Sequence, residues 1–267
     1  MKIFIKIALV LISGSLLAEE PNYSKVEKGE GIALEQNDSN ENTFTKVIIV
    51  NDFDIMKNEV SQEYFYNEVK YNPSYFSRKE FCPKSFKIIN KVGLCPDHPV
   101  ESLSILDVKK FLKHLNKSKD YHYRLPKLSE YYYLISKGVE NNREGYRKLL
   151  KSIWSFFNSY QNGHEGKVQT SSSKSSMSFN KNQNYLIGNV WEFTGDYLDY
   201  SKNIFKKDPS TSIEQSKGQN IAFFGLSFGM ELSKEEFFDN QKVLRQSDRH
   251  AWASNMLGFR LVRIKKR

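Results

Sequence analysis

The sequence predicts an α+β fold with short strands, two or three helices and long loops. Its β-type runs are brief, as in 46–50, and the chain has no internal repeat of fixed period. Helical apolar spacing occurs only in separate stretches. By contrast, 158–184 is dominated by Ser, Asn, Gly, Lys and Gln, a composition that cannot build a core. This combination is typical of α+β domains rather than of a regular α/β sheet.

Two or three helices are expected in the first half of the chain. Ser61 is a suitable N-cap for a short helix that runs to about residue 69. Ser104 is the predicted cap of a second helix that ends near Asn116, with Asp107 at its third position. Helical spacing gives this second helix a buried face formed by Val108, Phe111, Leu112 and Leu115. A third helix is expected over 127–137.

The other apolar runs are too short for helices and predict strands. They lie at 46–50, 185–191, 221–228 and 259–264, and 53–60 has strand or turn character. Long surface loops are predicted over 158–184 and 201–218 because both stretches are polar and have no apolar period.

The N-terminus has the pattern of a secretory signal peptide over 1–18. Lys2 and Lys6 provide the positive start, and 7–17 form an apolar stretch that is short for a membrane span. A buried N-terminal helix and an uncleaved membrane anchor are the alternatives. The polar residues 19–44 are interpreted as a flexible lead-in, which leaves one domain over 45–267. This pattern predicts a periplasmic or secreted protein.

Cys82 and Cys95 are the only two cysteines of the 267 residues. Export to an oxidising compartment favours a disulfide between them. A metal pair or a redox pair is the alternative, but the spacing is not that of a CxxC motif. No third or fourth cysteine exists to complete a zinc site. The sequence therefore predicts a structural disulfide.

The chain is basic, with a formal net charge of +9 at pH 7. Its Lys and Arg residues are spread along the sequence and are not interleaved with aromatic residues as on a nucleic-acid-binding fold. The composition therefore argues against nucleic acid as a partner. An acidic polysaccharide or an anionic envelope surface suits this charge better.

Several segments, taken in their order along the chain, carry a family resemblance. The first are Glu59-Val60-Ser61, Asn72-Pro73-Ser74 and His98-Pro99-Val100-Glu101, and the later ones are Arg124-Leu125-Pro126, Gly188-Asn189-Val190-Trp191-Glu192-Phe193 and Gly258-Phe259-Arg260. Together they resemble the formylglycine-generating, or sulfatase-modifying factor, enzyme family over about 53–263. The resemblance implies a variant of the C-type lectin fold with little regular secondary structure.

The metal chemistry of that family is not matched by this sequence. Its oxidising members use a copper-binding cysteine pair near the C-terminus, and the corresponding region here, 223–260, contains no cysteine. Other relatives hold iron with three histidines, and none of the five histidines here follows an HxxxH or HxE pattern on a convincing helix. The sequence thus argues against both copper and iron as cofactors.

Calcium is the cofactor that the resemblance leaves open. By the family's pattern, the ligands would be the carbonyls of Gly188 and Val190 and the carboxylate of Glu192. One departure weakens this prediction, because the acidic or amide ligand expected three residues before Gly188 is Tyr185. The alternative is that Glu192 is a buried hydrogen-bond acceptor.

Two functional hypotheses follow from these observations. The first is a non-catalytic binding or envelope-associated module, a pseudoenzyme whose partner is a glycan, a peptide or an envelope protein. Aromatic side chains for stacking on such a ligand would be Tyr197, Tyr200 and Trp252. The second is an enzyme of the same superfamily, metal-dependent or protein-modifying, with a different active site. Its candidate catalytic residues are Asp196, Asp248, Arg249 and His250.

Overall fold

A computed structural model describes most of the chain beyond the N-terminus. The described residues are 21–36, 42–117, 120–137, 139–140, 142–164, 178–180, 183–184, 186–199, 204–205, 220–228, 230, 233–234, 237, 245–248 and 253–266. The predicted signal peptide over 1–18 lies outside them. No helix in this part of the chain has the length and apolar character needed to cross a bilayer.

The architecture is α+β, as predicted. Helices in the described residues are α1 (Gln62–Val69), α2 (Ile105–Leu115), α3 (Leu128–Ser136) and α4 (Arg143–His164). Strands of the N-terminal half are β1 (Tyr23–Val26), β2 (Gly29–Gln36), β3 (Asn42–Ile49), β4 (Phe53–Met56), β5 (Lys87–Ile89), β6 (Val92–Leu94) and β7 (Tyr121–Arg124). Those of the C-terminal half are β8 (Ser178–Asn180), β9 (Gln183–Asn184), β10 (Trp191–Asp199), β11 (Ile204–Phe205), β12 (Asn220–Phe224), β13 (Arg245–Asp248), β14 (Leu257–Gly258) and β15 (Val262–Lys265).

Two antiparallel sheets organise the domain. The first has the order β1-β4-β15-β7, so the C-terminal strand β15 lies between two strands of the N-terminal half. The second has the order β11-β10-β12-β13, and β14 adds to β10 in parallel. One continuous hydrophobic core joins the sheets to the helices. The two ends of the described chain are therefore packed into a single core.

The helices α1 and α2 confirm the predictions made from their caps. The Ser61 hydroxyl accepts a hydrogen bond from the Tyr64 amide, and Ser104 and Asp107 form a capping box. The predicted apolar face of α2 is buried in full. It meets α1 through stacked rings of Phe65 and Phe111, whose centroids lie 5.1 Å apart.

The N-terminal residues differ from the predicted flexible lead-in over 19–44. Strand β1 pairs with β4, and β2 forms a hairpin with β3 that packs on α3. The hairpin approaches α3 closely because Gly31 has no side chain, and the Ile32 amide donates a 2.7 Å hydrogen bond to the Ser136 hydroxyl. The polar composition of this stretch conceals the pairing, since the buried apolar side chains of the hairpin are few: Ile32 and Ala33 in β2, and Val47 and Ile49 in β3.

Helix α4 is a fourth helix that the sequence analysis did not assign. Its buried side chains follow helical spacing, at Tyr146, Leu149, Leu150, Ile153 and Phe157. Because α4 continues to His164, the start of the predicted loop 158–184 is helical, and β8 and β9 occupy part of its end. Most of the second predicted loop, 201–218, lies outside the described residues, although Ile204–Phe205 form β11.

The predicted strand 185–191 is a bend over 186–190, and the strand starts only at Trp191. Gly188 and Asn189 have φ angles of 100° and 61°, which a strand cannot accommodate. The apolar residues of this stretch are buried, as in a strand, but the backbone turns there.

Substitution of Gly31 tests whether the hairpin is an ordered part of the core. A Cβ at this position would lie 2.6 Å from the Ser136 hydroxyl oxygen and 3.0 Å from the Tyr133 Cα. Overpacking of this kind costs about 1–3 kcal/mol, so Gly31→Ala should lower the free energy of unfolding by that amount in urea titrations. Gly195→Ala is the control, because its Cβ would meet nothing closer than 3.4 Å. Equal stability of the two variants would show that the hairpin does not pack as described.

Candidate functional site

The Glu192 carboxylate lies at the start of β10 and is 1% exposed. Its Oε2 atom accepts hydrogen bonds from the Tyr131 hydroxyl at 2.5 Å and from Arg260 Nε at 2.7 Å. Its Oε1 atom accepts a second Arg260 bond, from Nη2, at 2.5 Å. The carboxylate is therefore held by a bidentate guanidinium and a phenol inside the core.

Arg260 is itself fully buried and joins distant parts of the chain. Its Nη1 donates to the carbonyls of Met56 and Lys57, at 3.3 and 3.2 Å. The negative charges around it hold the pKa of Arg260 above its ordinary value despite burial. A buried guanidinium is stable only when paired and hydrogen-bonded, and here both conditions are met.

Glu59 is the second buried carboxyl of this cluster. Its Oε1 accepts a 2.9 Å hydrogen bond from Asn189 Nδ2, and its Oε2 has no partner among the residues that the structure describes. Burial raises the pKa of Glu59 to about 8, against the opposing effect of Arg260 and with a further increase from Glu192. The raised pKa of Glu59 favours its neutral form, and the geometry pairs Arg260 with Glu192.

The bend before β10 is fixed by the same cluster. Asn189 adopts a left-handed conformation, and its buried side chain donates to Glu59. Its carbonyl accepts a 2.9 Å hydrogen bond from the Phe228 amide. The bend thereby links the buried charges to the loop that carries Phe228. We call Glu59, Tyr131, Asn189, Glu192 and Arg260 the buried polar cluster.

A second set of polar contacts fixes the start of helix α3. Arg124 forms a bidentate ion pair with Glu130, with contacts of 2.5 and 2.7 Å, and Glu130 also accepts from the Lys127 amide. The N-cap Lys127 has no acceptor oxygen in its side chain. The Asp196 carboxylate replaces one, because it accepts a 2.5 Å hydrogen bond from the Leu128 amide.

Several loops meet on one face of the domain near Phe228. Glu101 is buried and accepts hydrogen bonds from the Tyr75 and Phe76 amides. The Ser102 amide donates to the Ser254 carbonyl at 2.9 Å, and the ring of Phe76 lies edge-on to that of Phe228, with centroids 5.6 Å apart. We call these segments, 74–76, 101–102, 226–228 and 254–256, the loop face.

One known protein family matches almost the whole chain. A sequence model of the sulfatase-modifying factor enzyme 1-like domain matches residues 15–265. The chain belongs to this family. No curated protein matches the chain.

Solved structures show the same fold for this sulfatase-modifying factor domain. Treponema denticola variable protein 1 is 16% identical, with a TM-score of 0.57 over 90% of this chain and 94% of that one. PvdO from Pseudomonas aeruginosa is also 16% identical, with a TM-score of 0.55 over 91% of this chain and 94% of that one. At these identities the likeness concerns the fold alone.

Of the predicted calcium ligands, Glu192 belongs to the buried polar cluster, and Gly188 and Val190 flank its member Asn189. Both oxygens of Glu192 are already bonded to Arg260 or Tyr131, so the geometry favours the alternative in which Glu192 is a buried hydrogen-bond acceptor. A cation bound to this carboxylate would also lie beside a guanidinium of the same sign. Within the described residues, no three His, Cys, Asp or Glu side chains are grouped as metal ligands. Calcium at Gly188, Val190 and Glu192 remains a prediction.

The candidate catalytic residues are only partly described. Asp196 caps α3, so its carboxylate is engaged by the fold. Asp248 and the predicted stacking residue Tyr197 both pair with Ile221 of β12, from opposite sides, and only their backbones are described. Four predicted site residues lie outside the described residues, namely Tyr200, Arg249, His250 and Trp252.

The predicted disulfide between Cys82 and Cys95 is confirmed. Their Cα atoms are 5.7 Å apart, and the two residues are 5% and 0% exposed. Neither sulfur is available as a thiolate ligand in this state.

The cluster residues Glu59, Tyr131 and Arg260 were not predicted as a site. Tyr131 follows the apolar spacing of α3, which is typical of a core residue, and the other two were noted only as parts of family segments. A charged residue inside an otherwise apolar run, as Arg260 is in 256–262, is the signal that could have indicated buried pairing.

The titration of Glu59 should appear in the pH dependence of stability. Its pKa is raised from 4.5 to about 8 on folding, so the folded state holds a proton that the unfolded state releases. The stabilisation is complete below pH 4.5 and is lost as pH rises towards 8, by about 1.4 kcal/mol per pH unit. Glu59→Gln keeps a neutral group and should lack this loss.

The measurement is urea unfolding of both proteins at several pH values between 5 and 9. The stability of Glu59→Gln relative to the natural chain should increase up to about pH 8 and then level off. The difference between the two proteins removes the contribution of all other titrating groups. A constant difference would contradict a neutral Glu59 in the core.

Proposed function

We propose that this chain is a non-catalytic binding module of the cell envelope, built on the sulfatase-modifying factor domain. The observation that carries the proposal is the state of its only two cysteines, which are bonded to each other and buried. The family's oxidase chemistry needs a pair of copper-binding thiolates, and this chain has no free cysteine to supply one. Export is part of the proposal, and the disulfide supports it because such bonds persist in oxidising compartments.

The segments shared with the family support a structural role rather than a catalytic one. The Glu192 carboxylate accepts hydrogen bonds from Arg260, and the Asp196 carboxylate accepts one from the Leu128 amide at the start of α3. The Arg124 guanidinium is likewise engaged, because it donates two hydrogen bonds to the Glu130 carboxylate. Glu192, Asp196 and Arg124 are thus each engaged by a contact that stabilises the fold. This favours a preserved scaffold over an enzyme with a rearranged site.

The loop face supports ligand binding through partly exposed aromatic rings. Phe76 and Phe228 contact each other there, held by the Glu101 carboxylate and by the Asn189 carbonyl. Ring faces held rigidly at a surface can stack on a sugar or on an aromatic peptide side chain at little cost in side-chain entropy. A glycan or a peptide is therefore the ligand class we propose for this face.

Binding at the loop face can be tested with a glycan and peptide screen. The natural chain should bind at least one probe, and Phe228→Ala should weaken that binding about fivefold or more, since stacking on one ring contributes about 1 kcal/mol. Leu106→Ala is the control, because Leu106 is 69% exposed on α2.

Metal analysis of the same purified protein separates binding from catalysis. We expect no stoichiometric copper or iron. Stoichiometric copper or iron would contradict the non-catalytic proposal. A ligand that binds Phe228→Ala as tightly as the natural chain would refute the assignment of the loop face.

A further inference from the structure

The loop from Tyr75 to Cys95 shares Tyr75 and Phe76 with the loop face, and its remaining residues form a surface that neither the core nor the loop face explains. The Cys82–Cys95 disulfide closes most of it, and the β5–β6 hairpin forms its end. The hairpin is anchored to α1, because the Tyr66 hydroxyl donates to the Ile89 carbonyl and Lys87 pairs with Glu63. We call residues 75–95 the stapled loop.

Aromatic rings cover one part of the stapled loop. The rings of Phe76 and Phe81 are 4.9 Å apart, and that of Tyr75, which is 54% exposed, lies 5.9 Å from Phe81. The Arg78 guanidinium lies over the rings of Tyr75 and Phe81, at 5.4 and 5.0 Å. These contacts hold an exposed tyrosine and a cation side by side.

An aliphatic side chain extends this surface. Ile88 is 69% exposed and pairs directly with Gly93, so both residues point to the same side of the hairpin. On that side the Cβ position of Gly93 lies 2.9 Å from the Ser77 carbonyl oxygen and 3.3 Å from the Phe86 ring. Ile88 therefore lies on the side of the hairpin that faces Ser77 and Phe86, and most of its side chain is exposed to water.

The charge of the stapled loop is strongly positive. It contains five cations, Arg78, Lys79, Lys84, Lys87 and Lys91, and one anion, Glu80. Arg78 pairs with Glu80 and Lys87 with Glu63. Lys79, Lys84 and Lys91 are exposed and form no ion pair with any residue that the structure describes. Cations and apolar side chains thus share one rigid loop.

We propose that the stapled loop docks the exported protein on an anionic phospholipid surface. Tyr75 and Ile88 would enter the interfacial layer, and the lysines would pair with headgroup phosphates. A glycan offers no apolar environment for Ile88, whereas a phospholipid surface offers anionic and apolar groups together. The proposal rests on export but not on ligand binding at the loop face.

Vesicle binding of the exported protein tests this proposal. The probes are vesicles of phosphatidylglycerol with phosphatidylcholine and vesicles of phosphatidylcholine alone, in a sedimentation assay at low salt. The natural chain should bind the anionic vesicles more tightly, and added salt should weaken that binding. Every variant has the same N-terminus, so differences among them report the surface alone.

Two variants address the two components of the surface. Lys79→Glu with Lys84→Glu should weaken binding to anionic vesicles about thirtyfold (about 2 kcal/mol), because each cation near such a surface contributes about half of that. Ile88→Ser should weaken binding about fivefold or more by removing apolar burial.

The matched controls lie on helices away from the stapled loop. Lys113→Glu with Lys151→Glu makes the same change of charge at exposed sites, and Leu106→Ser matches Ile88→Ser because both side chains are 69% exposed. Both controls should bind as the natural chain does.

Three results would overturn the proposal: no binding to anionic vesicles, equal losses in the test and control variants, or an Ile88→Ser variant that binds as the natural chain does. Soluble polyglutamate is included as a competitor. If it displaced the protein fully while Ile88→Ser had no effect, the partner would be an acidic polypeptide and the lipid proposal would fail. Loss of glycan or peptide binding in Phe228→Ala is independent of all these outcomes.

Discussion

The fold of this chain depends on one buried ion pair, Arg260 with Glu192. The guanidinium is 0% exposed, and it contacts the start of β10 through Glu192 and the end of β4 through the Met56 and Lys57 carbonyls. Arg260 thereby connects the C-terminal segment to β4 of the first sheet and to β10 of the second sheet. Removing two charges from water is costly, so this arrangement is stable only while each partner stays paired. Neither residue can be released for other chemistry without leaving the other charge buried and unpaired.

The neighbouring elements are positioned by the same pair. Tyr131 donates to Glu192 from α3, and Asn189 in the bend donates to Glu59. The Asn189 carbonyl accepts a hydrogen bond from the Phe228 amide, so the buried polar cluster positions part of the loop face. This explains how family segments can be kept in a chain that lacks the family's copper-binding cysteines. Their side chains maintain the scaffold, and the loops can carry a different function.

Local signals predicted some elements well and could not predict others. Helices α1 and α2 were recognised because a cap and an apolar spacing lie within one short segment, and the disulfide because only two cysteines exist. The β2–β3 hairpin was missed because its order depends on α3, about 100 residues later, through contacts of Gly31 and Ile32. In the same way, Glu192 matches the family's pattern for a calcium ligand when the sequence is considered without the folded structure. Its actual partner, Arg260, lies 68 residues away, and only the folded chain brings the two together.

The domain depends on the structural pair that Arg260 and Glu192 form, and this dependence can be measured. A double-mutant cycle with Arg260→Met and Glu192→Gln, measured by urea unfolding, tests it most directly. Each single variant should lose about 3–5 kcal/mol, and the double variant should be more stable than Arg260→Met alone because no unpaired charge remains at Glu192. Losses that add to within about 0.5 kcal/mol would show that the two side chains act independently and would contradict the account.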